Sequence, residues 1–193
     1  MGRMLMHVSF FNVTMRILIL GAGATGGYFG ARLVHAGVGV SFALRPARAR
    51  HIREHGLCMR SPLGDVQLPA KVLSADQLAD APPFDLVLLS CKAYDLDSAI
   101  EAIAPAVSPV TTVLPVLNGL AHYPLLDARF GREQVLGGLC FISAVLAAAA
   151  PGFGRQRAAA ALRPATCQTM AALHLARRLA LARGPAVPTC PPA

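Results

Sequence analysis

The sequence predicts an α/β fold in which helices cover both faces of a mainly parallel sheet, a Rossmann-type doubly wound domain. Three observations support this. From Met15 onward, short apolar runs alternate with segments of helical spacing. Residues 85–90 form an apolar run of the kind found in parallel strands buried on both faces. A glycine-rich segment, Gly21-Ala-Gly-Ala-Thr-Gly26, separates the first strand from the first helix.

The predicted strands are short runs rich in Val, Ile and Leu, and glycine, proline or acidic residues mark the helix ends. The strands are predicted at residues 16–20, 39–44, 85–90, 111–117 and 135–143, and the helices at residues 24–35, 46–55, 95–104 and 124–130. Residues 57–73 are predicted as two extended pieces around the turn that begins at Ser61. Strands that alternate with helices in this way form right-handed βαβ units, so ligands are expected beyond the carboxyl ends of the strands.

Composition divides the chain into three parts. Residues 15–144 are expected to form the folded domain, and residues 1–14 an N-terminal extension, because a strand begins directly after Met15. Residues 145–193 form a tail rich in Ala, Arg and Pro, in which residues 170–183 have helix-forming composition. The tail contains 6 Arg and no acidic residue, so it carries most of the net charge of +8. Its single aromatic residue, Phe153, argues against a nucleic-acid partner.

The cysteines and the longest uncharged stretch argue against two further classes of protein, metal-binding proteins and membrane proteins. The five cysteines are odd in number and match no metal-ligand spacing, which favours a reduced, cytoplasmic setting and no metal site. Residues 134–154 lack charge, but they contain four glycines and a proline and are interpreted as a buried strand followed by an alanine run. No membrane association is therefore expected. The oligomeric state is left open.

The glycine-rich segment predicts a dinucleotide site, since it follows a strand and opens a helix. Gly21 permits the tight turn, Gly23 lets the pyrophosphate approach the backbone, and Gly26 allows close packing of helix on strand. Ala22, Ala24 and Thr25 complete the loop. The N–H groups and dipole of the helix N-terminus then favour phosphate. The alternative is a glycine-rich turn of an ordinary α/β protein.

The end of the second strand predicts NADP rather than NAD. An NAD site usually has an acidic residue about 20 residues after the glycines, and that position here lies near Arg45. No acid is present there, and Arg48 and Arg50 follow. A guanidinium pairs well with a 2′-phosphate, so Arg45 is the predicted contact. A solvated, basic helix start is the alternative.

Two polar residues follow the next predicted strands. Lys92 stands just beyond the run at 85–90, and Asn118 stands at the end of the run at 111–117. Both are expected to face the ligand crevice, where the Asn118 amide would contact a substrate or the nicotinamide ribose. The alternatives are a surface lysine and, because Asn-Gly is a strong turn signal, a turn residue.

Taken in order, these segments resemble the N-terminal domain of the ketopantoate reductase (2-dehydropantoate 2-reductase) family over residues 15–144. The resemblance implies NADPH-dependent reduction of 2-dehydropantoate to pantoate, for pantothenate and coenzyme A synthesis. It also implies roles for individual residues: Gly21 to Gly26 on the pyrophosphate, Arg45 on the 2′-phosphate, Lys92 on the cofactor, Asn118 between cofactor and substrate, and the Ala144 backbone on the cofactor.

The chain departs from the family after Ala144. The family has a second, helical domain with a catalytic lysine and glutamate, whereas residues 145–193 contain neither Lys nor Glu. No catalytic residue is therefore identified, and weak or absent activity is expected of this chain as a truncated form. The composition of the tail suggests the hypothesis of a GC-rich gene read out of frame. Two other functions stay open: a non-catalytic NADP-binding module, and a related reductase of another 2-keto acid.

Overall fold

The computed structural model describes residues 15–61 and 64–138, together with residues 140, 142, 144 and 146. The predictions for residues 1–14 and for the helix at 170–183 lie outside these. The strands are β1 Arg16–Leu20, β2 Gly39–Ala43, β3 Leu57–Met59, β4 Val66–Leu68, β5 Lys71–Leu73, β6 Leu86–Leu89 and β7 Thr112–Pro115. The helices are α1 Ala24–His35, α2 Pro46–His55, α3 Ala75–Ala79, α4 Leu96–Ile103 and α5 Tyr123–Phe130.

Five strands form one parallel sheet in the order β5-β2-β1-β6-β7. The chain therefore begins in the middle of the sheet, builds outward to β5, and crosses back to β6 on the other side of β1. This reversal creates a topological switch point, where open α/β sheets bind ligands beyond the carboxyl ends of their strands. The predicted mainly parallel, doubly wound sheet is confirmed.

Alternate side chains of the central strands supply two separate cores. Ile17 and Ile19 of β1 pack in a core with the α1 residues Phe29 and Leu33. Leu18, between them, packs in the opposite core with the α4 residues of the other face. β6 and β7 alternate in the same way. Because β6 is apolar at every position and β1 at every position after Arg16, both faces can bury a helix layer.

The segment between α2 and β6 is more structured than predicted. β3 and β4 form a two-stranded antiparallel hairpin, and the Gly64 amide donates to the Ser61 carbonyl oxygen at 3.0 Å across the predicted turn. β5 then joins the main sheet. Helix α3 was not predicted, although Ser74 and Gln77 form a complete capping box at its start.

The predicted final strand at residues 135–143 is wrong within the described residues, where only Val135 bridges to β7. The Val113 amide donates to the Gln134 carbonyl oxygen, and the Leu136 amide donates to that of Val113. The next donor on β7 would be Pro115, which has no N–H group. The Gly138 amide donates instead to the Tyr123 hydroxyl at 2.9 Å. The ladder therefore stops after one repeat.

Within the described part of the chain, no helix is both long enough and apolar enough to cross a bilayer. In the uncharged stretch at 134–154, residues 136–138 are irregular backbone that follows the Val135 bridge. Most of the later residues of this stretch lie outside the described ranges.

Candidate cofactor-binding site

The carboxyl edge of the sheet collects most of the predicted site residues. The glycine-rich loop follows β1, Arg45 follows β2, Lys92 follows β6 and Asn118 follows β7. Since β1 lies between β2 and β6, the loop stands at the centre of this edge, with Arg45 on one side and Lys92 on the other. The topology therefore brings four separate sequence segments to one edge of the sheet.

Gly21 makes the turn that leads from β1 to α1. Its φ of 91° lies in the left-handed region, which favours glycine. The Gly21 amide donates to the carbonyl oxygen of Ala43 at 3.0 Å, so the loop is fixed to the end of β2. Ala22 is buried beneath it. The loop is therefore held from both its own strand and the neighbouring one.

Gly23 is the N-cap residue of α1 and is exposed. A Cβ built on Gly23 would have no described atom within 4 Å, and its φ of −75° is open to any residue. The fold itself therefore does not require glycine at this position. Open space over the helix N-terminus is what the approach of a pyrophosphate would require.

Gly26 is restricted by packing. A Cβ at Gly26 would lie far inside van der Waals distance of the Gly21 carbonyl oxygen and of the Ser90 hydroxyl. Ser90 follows β6, and its hydroxyl donates to the Leu20 carbonyl oxygen at 2.8 Å. Ser90 was not predicted as a site residue. Its place directly after a buried strand, beside Lys92, was the available signal.

The first turn of α1 favours an anion. Its N-cap residue, Gly23, has no side chain, and Ala24 and Thr25 follow with no acidic residue in that turn. The first N–H groups of a helix have no carbonyl partner within it, and they carry the positive end of the helix dipole. Ala24 and Thr25 are both half-buried, so part of this surface is open.

Arg48 brings a cation to the same loop. Its Nε donates to the Ala22 carbonyl oxygen at 3.1 Å, which ties helix α2 to the glycine-rich segment. Burial lowers the pKa of this guanidinium below its ordinary value. An arginine stays charged through such a shift. Sequence reasoning noted Arg48 only as part of a basic cluster and did not assign it this contact.

Arg45 lies where the sequence predicted, at the N-terminus of α2. Its side chain is 76% exposed, and its Nη2 lies 2.5 Å from Oδ1 of Asp95. Asp95 ends the one-turn helix Ala93–Asp95, which precedes α4. The ion pair therefore connects the segment after β2 with the segment after β6. Asp95 was predicted only as an acidic helix start.

Lys92 and Asn118 are both exposed at the carboxyl edge. Lys92 is three residues beyond Leu89, the end of β6, and Asn118 is three beyond Pro115, the end of β7. Because β6 and β7 are neighbours in the sheet, the two side chains begin from adjacent strands. No described contact joins them, so their predicted roles on cofactor and substrate stay predictions.

Ala144 is half-buried and belongs to no described strand. Both of its neighbours in the chain lie outside the described residues, and no contact described for Ala144 connects it to the crevice. Its predicted backbone contact with the cofactor therefore stays a prediction.

Burial shifts the pKa of two further side chains near this edge, Cys91 and His122, toward the neutral form. Burial, and in smaller part the negative charge of Asp95, raises the pKa of the half-buried Cys91 thiol. Burial lowers the pKa of His122, whose ring packs at a tilt against that of Tyr123. Among the described residues, no group of three or more His, Cys, Asp or Glu side chains is arranged to hold a metal ion.

Comparison with known proteins gives one consistent family. Residues 17–157 match the sequence model of "Ketopantoate reductase PanE/ApbA". The chain is 41% identical over 132 residues to the uncharacterized oxidoreductase YkpB of Bacillus subtilis, covering 68% of this chain and 43% of that protein. It is 33% identical over 124 residues to a Nostoc 2-dehydropantoate 2-reductase, covering 64% of this chain and 38% of that protein.

Solved structures agree in fold. The 2-dehydropantoate 2-reductase of Geobacter metallireducens superposes with a TM-score of 0.74 at 32% identity, covering 87% of this chain and 56% of that one. A D-mandelate dehydrogenase bound to NADH and anilino(oxo)acetate gives a TM-score of 0.70 at 26% identity, covering 87% and 55%.

The chain thus spans about two-fifths of the length of these curated relatives and just over half of these solved structures. The family model accounts for most of residues 15–144. The chain belongs to the ketopantoate reductase PanE/ApbA family of oxidoreductases.

Proposed function

We propose that this chain binds NADP in the crevice above β1 and forms the cofactor half of an NADPH-dependent reductase of a 2-keto acid, with 2-dehydropantoate as the substrate. The observation that carries the proposal is the open space over Gly23 at the exposed start of α1. The fold does not need a glycine there, whereas a pyrophosphate approaching the backbone does.

NADP is favoured over NAD by the charge at the end of β2. Arg45 is exposed beside the crevice, and Arg48 contacts the loop itself. A guanidinium forms charge-assisted, bidentate hydrogen bonds with a phosphate. The acid that would accept hydrogen bonds from the ribose of NAD is absent from the end of β2. Arg45 is therefore the proposed partner of the 2′-phosphate.

The cofactor fits the residues present, and in its reduced form it supplies the hydride. In the reaction, the ketone carbon of the substrate gains the hydride and its oxygen gains a proton, so the C=O group becomes C–OH. Asn118, beyond β7, is proposed to hold the substrate or the nicotinamide ribose through its side-chain amide. Lys92, beyond the neighbouring β6, is proposed to place positive charge beside the cofactor.

Protonation of the substrate oxygen requires an acid, and we propose that this chain supplies that step poorly. Residues 145–193 contain no Lys, Asp or Glu. Weak turnover by the chain follows, while cofactor binding by residues 15–144 is kept. The proposal that residues 145–193 are read out of frame is tested by the encoding DNA, in which a shifted frame near codon 144 should encode Lys and Glu. A cytoplasmic location stays a prediction from the cysteine pattern.

A second reductase function is favoured by one comparison. The D-mandelate dehydrogenase of similar fold was solved with NADH and anilino(oxo)acetate, a 2-oxo acid derivative other than 2-dehydropantoate. Another 2-keto acid is therefore the main alternative substrate class. The non-catalytic alternative, a module that binds NADP only, shares the glycine-rich loop and Arg45.

The test begins with the affinities of the purified 193-residue chain for NADPH and NADH, measured by fluorescence of the reduced nicotinamide. Tighter binding of NADPH supports the proposed cofactor, and equal affinities contradict it. NADPH oxidation is then measured with 2-dehydropantoate, phenylglyoxylate and pyruvate in turn. Turnover with 2-dehydropantoate, and not with the other two keto acids, supports the proposed substrate. Turnover only with another keto acid supports the alternative reductase. Binding without any turnover is the result expected both of the module and of a reductase chain that lacks its proton donor.

A further inference from the structure

We propose that Asp95 sets the cofactor preference of this site by competing with the 2′-phosphate for Arg45. The inference rests on the proposed binding of NADP and identifies a second residue, on the opposite side of the crevice, that weakens this binding. Nothing in the local sequence around Arg45 suggests such a partner, because 50 residues separate the two side chains.

The position of the ion pair carries the inference. Arg45 follows β2 and Asp95 follows β6, and β1 lies between these strands. The contact of 2.5 Å between Nη2 of Arg45 and Oδ1 of Asp95 therefore passes across the carboxyl end of β1, where the glycine-rich loop begins. A dinucleotide held at the start of α1, with its adenosine toward β2, would reach this pair.

Charge then determines the direction of the effect. A phosphate monoester carries about −1.5 to −2 charges at neutral pH. A phosphate bound to Arg45 would take the place of the Asp95 carboxylate, or lie within a few ångströms of it, where like charges repel. NAD has no 2′-phosphate and escapes this competition. Asp95 is therefore expected to weaken NADP binding more than NAD binding.

Apart from the ion pair with Arg45, no hydrogen bond of the Asp95 side chain is found among the described residues. It stands at the N-cap of α4, but its side chain makes no capping hydrogen bond there. Its backbone amide donates to the Lys92 carbonyl oxygen, and its backbone carbonyl accepts from the Ser98 hydroxyl. Both bonds persist when only the side-chain charge is removed. Asp95→Asn is thus a clean change of charge.

The test compares Asp95→Asn with Asp97→Asn in the full 193-residue chain. Asp97 is exposed in the first turn of α4, so the control makes the same change in net charge two residues away. Dissociation constants for NADP⁺ and NAD⁺ are measured by calorimetry at low salt, and thermal melts verify folding. Asp95→Ser, which also suits an N-cap, serves as a second uncharged variant.

Exposed charge pairs are worth little, so we expect Asp95→Asn to tighten NADP⁺ binding by about two- to fivefold. NAD⁺ binding should change by less than about twofold, and high salt should reduce the gain. An unchanged or weakened NADP⁺ affinity, or an equal gain in Asp97→Asn, overturns the inference. If Arg45→Ala nevertheless removes the NADP⁺ preference, the proposed function stands although the inference about Asp95 fails. If the unaltered chain binds neither dinucleotide, both fail.

Discussion

The hydroxyl of Ser90 donates a hydrogen bond to the carbonyl oxygen of Leu20, the last residue of β1, at 2.8 Å. This bond joins the ends of two neighbouring strands directly beneath the glycine-rich loop. The same hydroxyl occupies the space that a side chain at Gly26 would need. Together with the Gly21 carbonyl oxygen, Ser90 therefore limits the side chain that the start of α1 can carry at position 26, and the start of that helix is the proposed phosphate site.

Gly26→Ala is expected to destabilise the fold and to displace the loop. The new methyl group would overlap the Gly21 carbonyl oxygen, a backbone atom that cannot rotate away. Overpacking of this kind costs about 1–3 kcal/mol. Gly27→Ala is the matched control in the same helix, since its Cβ would lie 3.6 Å from the nearest described atom, the Ala22 carbonyl oxygen. Thermal unfolding of both variants measures the difference, and equal stability would contradict the packing role of Gly26.

Gly23→Val is expected to leave the fold intact and to abolish tight binding of NADPH. Its branched side chain would meet no described protein atom, because the space over Gly23 is open. The same side chain would occupy the position proposed for the pyrophosphate. A less favourable N-cap costs about 1 kcal/mol of stability, whereas the affinity should fall by at least about tenfold, roughly 1.4 kcal/mol. Fluorescence titration and a thermal melt separate the two effects. A folded variant with unaltered affinity would show that the loop is assigned wrongly.

The sequence was most informative where burial on both faces imposed a pattern. β6, and β1 after Arg16, are apolar at each position because α1 packs on one face and α4 on the other, and such runs are recognisable without a structure. The glycine-rich loop was equally predictable, because Gly21 needs a positive φ and Gly26 a missing side chain. These are local requirements that the residue type itself reveals.

Long-range features were not predictable in this way. The apolar run from Val135 predicts a strand, but the missing N–H of Pro115 on its neighbour ends the pairing after one repeat. The contact of Arg45 with Asp95 and that of Ser90 with Leu20 join segments 50 and 70 residues apart. Such pairs follow from strand order, which the apolar pattern alone does not determine.

Arg45→Ala is expected to remove most of the preference for NADPH over NADH. Loss of a charged hydrogen-bond partner at an exposed position should weaken NADPH binding by about tenfold, near the lower end of the range for charged groups. NADH binding should change little. Arg50→Ala removes the same charge from an exposed position of α2 and is the control. If both variants lose affinity equally, general attraction by α2 rather than a specific phosphate contact explains the preference.

His122 makes the stability of the fold depend on pH. The residue is 4% exposed, its Nε2 has no hydrogen-bond partner among the described residues, and burial lowers its pKa. In the unfolded chain the imidazole takes up a proton near its ordinary value of 6.5. Below that pH the unfolded state binds more protons than the folded state, so the free energy of unfolding should fall as the pH drops through and below about 6.5.

His122→Leu removes this titration and should flatten that part of the stability profile. The free energy of unfolding of both proteins is measured by urea denaturation at pH values between roughly 7.5 and 5, the range in which an imidazole titrates. The contribution of His122 to the free energy of unfolding is present above the pKa that this residue has in the unfolded chain, and it is lost on acidification. An unchanged slope in the variant would mean that other groups cause the acid sensitivity.

Hydride transfer by this chain is expected to be slow even where NADPH binds. Reaction requires the nicotinamide, the ketone carbon and a proton donor in one geometry. The described residues offer Lys92 and Asn118 at the crevice, and residues 145–193 add arginines and His174 but no lysine or acid. General acid catalysis is typically worth about 10²–10⁴-fold, so turnover with 2-dehydropantoate should fall below that of a full-length relative by at least this factor. NADPH oxidation is compared with that of the Geobacter metallireducens enzyme at saturating cofactor, after titration has shown that the chain is loaded. A rate near that of the relative would mean that the arginines or His174 complete a substrate site, and substituting His174 would then be the next measurement.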